Sequence, residues 1–88
     1  MCFGLGNIQM KYVYMLRSDA VPDRHYVGIT DDLDKRLARH NAGDVSHTSK
    51  YRPWIIVTYI AFSDEAKAFA FEKYLKSASG RAFAKKRF

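Results

Sequence analysis

Hydrophobic and polar positions divide the chain into five patterned segments. Lys11 to Arg17 (KYVYMLR) and His25 to Thr30 (HYVGIT) are rich in aromatic and β-branched residues, and a polar, Pro-containing connection, Ser18 to Arg24, joins them. This predicts two antiparallel strands. Gly28 interrupts the second one, and a glycine inside a strand marks a bulge or a place where another group comes close. Thr30 is the expected cap of a first helix over residues 31–41, with Asp31 and Asp32 in the turn where the helix dipole favours acids and Gly43 placed to end it. Residues 42–53 read as a loop. Trp54 to Phe62 (WIIVTYIAF) is a long β-prone run, expected as the central or covering strand. Ser63 should cap a second helix from Asp64 to Ser77, and Gly80 should break it. The closing RAFAKKRF has length for one or two further helical turns, too few to be stable without docking. The order ββαβα predicts an α+β fold: a single domain whose three-stranded antiparallel sheet is flanked by helices on at least one face, with a short C-terminal helix as an addition. Met1 to Gln9 carries no charge and no period. It reads as a loose, dispensable leader (1–9) before the domain proper (10–88).

Composition narrows the function classes. Eighty-eight residues, 48% of them hydrophobic, support one core and no more. The longest apolar run is far shorter than the roughly 20 residues that span a bilayer, so no membrane partner is expected. Cys2 is the only cysteine and no signal-peptide pattern is present, which makes a reducing cytoplasm the expected setting. The net charge is +6 and uneven: residues 11–40 hold six cations and five acids, residues 41–88 nine cations and four acids. From Lys73 onward there are six cations and no acid. Such a segment attracts a polyanion through its long-range field and counterion release. A solvated tail that aids solubility accounts for the same charge.

Some residues sit awkwardly for purely structural roles. Leu33, Arg36, Leu37 and His40 share one helical stripe, so two cationic or titratable groups border an apolar face. The plain reading is that both heads reach water. Ala68, Phe71 and Leu75 form the stripe of the second helix, with Glu72 on its border; a carboxylate there needs a cation or a metal, and Lys76 at i+4 is the ordinary partner. Tyr12 and Tyr14 share a strand face, with Tyr26 on the neighbouring strand, which core packing also explains. No phosphate-binding glycine loop, no Cys/His metal pattern and no nucleophilic serine elbow is present, and His25, His40 and His47 lack zinc spacing.

Tyr12-Val13-Tyr14, followed by Tyr26-Val27-Gly28, resembles the paired motifs that name the GIY-YIG nuclease family. The resemblance continues through Arg36 and His40 in KRLARHNAG to Glu72 in AFEKYLK, covers residues 11–88, and is closest to the small stand-alone bacterial members. Tyr12 replaces the first motif's Gly, Val13 and Val27 replace isoleucines, and no Asn follows Lys73, where some members carry one. The resemblance implies a metal-dependent endonuclease acting on nucleic acid, DNA before RNA, through a single divalent cation, Mg²⁺ or Mn²⁺, held by Glu72 and waters. It further implies Tyr14 as general base, Arg36 as phosphate clamp, and Tyr26 and His40 as groups positioned around the phosphate. Arg17 stands where some members have a Lys and joins Arg36, Lys73, Lys76, Arg81 and Lys85 as the expected nucleic-acid contacts. The expected assembly is a monomer or weak homodimer. The rival readings are a non-cleaving nucleic-acid-binding module that keeps the fold and, more remotely, a protein-interaction module that uses its aromatic surface.

Overall fold

The structure is a computed structural model that describes residues 10–88; the leader expected over 1–9 lies outside the described residues. Strands β1 (Lys11–Ser18), β2 (His25–Thr30) and β3 (Trp54–Phe62) form one antiparallel sheet in the order β2-β1-β3. Helix α1 (Leu33–Ala42) follows β2, a single 3₁₀ turn (Ser49–Tyr51) precedes β3, and α2 (Glu65–Leu75) and α3 (Ala78–Arg87) follow it. The α+β reading with three antiparallel strands and a C-terminal helix therefore stands. The middle strand is β1 and not Trp54–Phe62, which occupies an edge.

Helices cover both faces of the sheet, and β1 registers this directly. A half-buried strand alternates, whereas Val13, Tyr14, Met15 and Leu16 are buried in succession. Val13 and Met15 pack with Ala68 and Leu75 of α2. Tyr14 and Leu16 pack on the other face with Trp54, Leu33 and Leu37. Strand β3 serves both layers because its register with β1 jumps between Met15/Thr58 and Leu16/Ile56, leaving Val57 as an extra residue. Trp54 and Ile56 thus join the α1 layer while Phe62 joins the α2 layer.

The helix caps lie one or two residues later than expected. Asp32, not Thr30, caps α1 by accepting from the Lys35 N–H at 3.0 Å, and Thr30 Oγ1 instead accepts from the Asp32 N–H at 3.1 Å. Asp64, not Ser63, caps α2 through the Lys67 N–H at 3.1 Å. In both cases the carboxylate competes better than the hydroxyl for the first-turn donors because the helix dipole favours negative charge there. Gly43 closes α1 in the left-handed conformation, φ 83°. Gly80 does not break a helix. The second helix ends at Leu75, Ser77 caps the third by accepting from the Gly80 N–H at 3.1 Å, and Gly80 lies buried within α3. A Cβ there would run into the Tyr74 carbonyl, so glycine is what lets α3 fold back against the end of α2. That docking turns the one or two turns expected into a ten-residue helix.

Candidate active site

Tyr14 and Gly28 face each other in the β1–β2 register. The phenol lies across the glycine, whose missing side chain is the space the ring occupies: a Cβ at Gly28 would collide with the Tyr14 hydroxyl. This is the close approach that a glycine inside the strand signalled. The hydroxyl ends between two groups of α1. Arg36 Nε donates to it at 3.2 Å, and His40 Nε2 stands 2.9 Å away. Arg36 and His40 are neighbours at i+4 on the helix, so α1 presents both to the same oxygen. Tyr26 completes the cluster, its ring centroid 4.9 Å from that of His40 and 6.3 Å from that of Tyr14.

The direction of each proton in this chain of bonds follows from its far end. Thr48 Oγ1 donates to the Val45 carbonyl at 3.2 Å, which uses its one hydrogen. With that hydrogen on Val45, the 2.7 Å contact with His40 Nδ1 takes its proton from Nδ1–H, the tautomer in which Nε2 accepts from the Tyr14 hydroxyl; the opposite tautomer requires Thr48 to give up the Val45 bond. The sequence reading expected His40 either with its head in water or near the phosphate; it is 0% exposed. Burial, then the charges of Arg36 and Arg39, push its pKa down to about 4, so the ring is neutral near pH 7. Burial likewise holds the Tyr14 phenol above its ordinary range, against the lowering effect of the Arg36 hydrogen bond. The same bond raises Arg36. At rest the site is a guanidinium, a neutral phenol and a neutral imidazole in series.

Glu72 reaches this region from α2, on the other side of β2. Its charge is among those that raise Tyr14, and its Oε2 lies 2.6 Å from Lys76 Nζ, which stands 6.0 Å over the Tyr26 ring. The expected ion pair is therefore present, with the Glu72 side chain 17% exposed. Among the described residues no three His, Cys, Asp or Glu side chains gather as a metal cluster. A lone hard carboxylate of this kind fits a cation that keeps most of its waters better than zinc-type ligation by several side chains. Arg17 points to the face of β1 opposite Tyr14, paired in register with His25 and Ile55, and its Nε is buried without a partner among the described residues. Lys73, Arg81 and Lys85 are exposed along α2 and α3, apart from the tyrosine cluster.

Three residues of the site carried no signal in the sequence. Thr48, in the loop before β3, is the hydrogen-bond partner of His40 Nδ1 at 2.7 Å. The Trp54 indole N–H donates to the Thr48 carbonyl at 2.8 Å and so fixes Thr48. Asn41 ties α1 to β3 by accepting from the Trp54 N–H at 2.6 Å and donating to its carbonyl at 3.1 Å. A loop threonine looks like any other until the fold brings it to the histidine.

The GIY-YIG catalytic domain matches residues 10–87. A UPF0213 protein of Streptococcus pyogenes serotype M3 is 36% identical over 73 residues, 82% of this chain and 79% of that protein. A structure-specific endonuclease subunit SLX1 homolog of Giardia intestinalis is 35% identical over 65 residues, 69% of this chain but 18% of that protein. Among the described residues no helix is long and apolar enough to cross a membrane. The paired tyrosine strands, the arginine on the helix that follows them and the match across residues 10–87 together establish that this chain belongs to the GIY-YIG nuclease family.

Proposed function

We propose that the protein is a divalent-cation-dependent endonuclease that hydrolyses phosphodiester bonds in nucleic acid, with DNA as the favoured substrate. The observation that carries this reading is the Tyr14 hydroxyl held between Arg36 Nε at 3.2 Å and His40 Nε2 at 2.9 Å, which would let a base and a phosphate-binding cation share one oxygen. The phenol oxygen has one lone pair left once it donates to His40 and accepts from Arg36. A water bound there can give its proton to Tyr14 as Tyr14 passes its own to Nε2, while the water oxygen bonds to phosphorus and the bond from phosphorus to the leaving oxygen breaks. His40 at a pKa of about 4 is a weak acceptor at rest. A phosphate anion arriving on Arg36 offsets the positive field that contributes to the depression, so the substrate itself strengthens the relay. Arg36 offers its remaining N–H groups to the phosphate oxygens, where charge grows in the transition state.

Mg²⁺ or Mn²⁺ would be held by Glu72 with its own waters and would neutralise charge on the phosphate and the leaving oxygen. To take that role Glu72 must release or share its contact with Lys76. The same contact favours the second reading, a binding module that keeps the fold without cleaving, since it leaves the carboxylate already paired. The test is a panel of labelled duplex, flap and branched substrates with and without Mg²⁺, using wild type and Arg36→Ala. Metal-dependent nicking that Arg36→Ala abolishes supports the enzyme; salt-sensitive binding with no product from any substrate supports the module.

A further inference from the structure

The α2–α3 layer carries a row of aromatic rings that the proposed chemistry does not use. Phe62 at the end of β3 packs on Phe71 with centroids 5.6 Å apart, Phe71 on Tyr74 at 6.4 Å, Tyr74 on Phe83 at 6.1 Å, and Phe83 on Phe88 at 5.7 Å. The row starts against the core and ends in solvent: Tyr74, Phe83 and Phe88 are 42%, 37% and 47% exposed. Each ring is braced by the one before it, so little freedom remains to be lost when something stacks on the outer three. The three adjacent aromatics leave ring faces open to an incoming group.

Charge indicates the kind of partner. Arg81, Lys85, Lys86 and Arg87 stand on the same helix as Phe83, and residues 73–88 contain no acid. An uncharged protein surface would gain nothing from those cations, and duplex nucleic acid, whose bases already stack on one another, would gain nothing from the rings. A single strand offers both phosphates and free base faces. Helix α2 links this surface to the site: Glu72 and Lys76 lie on its flank beside Tyr26, Phe71 and Tyr74 on its flank beside Phe62.

We propose that the exposed row Tyr74, Phe83 and Phe88 stacks on unpaired bases of a single-stranded nucleic-acid segment while the cations of α3 hold its phosphates. The inference deepens the nuclease reading and rests on it for its consequence, that the preferred substrates carry a single-stranded arm beside the cleaved bond. The binding itself requires no cleavage.

The experiment compares, in the absence of divalent metal, the affinity of the full chain for a fluorescent oligothymidylate and for an abasic strand of the same length and charge. Wild type should prefer the strand with bases by at least about fivefold, the lower end of what one aromatic-base stack contributes. The double variant Phe83→Leu/Phe88→Leu, which keeps apolar bulk without a ring face, should lose that preference and bind the abasic strand as wild type does. Lys85→Gln/Lys86→Gln should weaken both strands alike and make the salt dependence of both shallower. Should the leucine pair lower the melting temperature, Tyr74→Leu provides the same comparison from α2. Equal affinity of wild type for the two strands overturns the proposal, as does a base preference that survives both ring-removing variants. Loss of self-association in the leucine pair with the base preference intact would assign the row to contact between copies and equally overturn it. A base preference with no cleavage of any substrate refutes the nuclease reading and leaves the platform; cleavage without a base preference does the reverse.

Discussion

The Tyr14 hydroxyl lies 2.9 Å from His40 Nε2, the one group among the described residues in hydrogen-bond contact with it that can accept its proton. Tyr14→Phe removes the oxygen and leaves His40 Nε2 and Arg36 Nε without their common partner. Cleavage should fall by about 10²–10⁴-fold, the usual contribution of a positioned proton-transfer group. The buried, unpaired Nε2 should cost on the order of 1–3 kcal/mol of stability. A denaturant melt and an initial-rate assay on the same preparation separate the two effects, and wild-type rates in a folded variant would remove Tyr14 from the chemistry.

Thr48 lies outside the reacting groups and acts through His40. Thr48→Val keeps the shape but deletes the acceptor for Nδ1–H, so the ring is free to carry its proton on Nε2 and lose its acceptor function toward Tyr14. We expect a loss of about tenfold or more in cleavage rate, with Thr48→Ser restoring most of it. Nitrogen chemical shifts of His40 give a readout that simple loosening would leave alone: the Nδ1–H tautomer in wild type and Thr48→Ser, a mixture in Thr48→Val.

Stability should depend on pH through His40. Its folded pKa of about 4 lies below the ordinary 6.5, so between these values the unfolded chain binds a proton that the fold excludes. The contribution is complete above pH 6.5 and is lost as pH falls toward 4, on the order of 2–3 kcal/mol over that interval. Melting temperatures from pH 8 to pH 4 should show the decline in wild type and a flatter profile in His40→Gln. Parallel profiles would mean that other groups carry the acid sensitivity.

Glu72→Gln tests the metal proposal against the ion pair. The change keeps size, frees Lys76 and should alter stability by no more than about 1 kcal/mol, since the pair is partly exposed. As the proposed sole protein carboxylate on Mg²⁺, its loss should abolish cleavage and weaken metal binding, while metal-free nucleic-acid affinity holds or rises as a negative charge leaves the site. Equal Mg²⁺ affinity and equal cleavage in the two proteins would end the metal-ligand assignment.

Local physics set much of this molecule before any tertiary contact. Strand composition, the spacing of Tyr12 and Tyr14, the dyad of Arg36 and His40 on one helical stripe, the i+4 pairing of Glu72 with Lys76 and the meaning of Gly28 follow from periods of two and 3.6 residues and from what a missing side chain permits. So did the family motifs, because their residues lie within single strands and helices. What the sequence left undecided depended on contacts between distant segments. Trp54 to Phe62 reads as the central or covering strand by its apolar content, yet it sits at the edge, where one extra residue, Val57, lets it feed both layers. Gly80 reads as a helix breaker, yet the Tyr74 carbonyl pressing on it makes glycine a requirement of docking. The partner of His40 Nδ1 is Thr48, eight residues away along a loop with no period, and a hydrogen bond of that kind exists only once the fold has brought its two ends together.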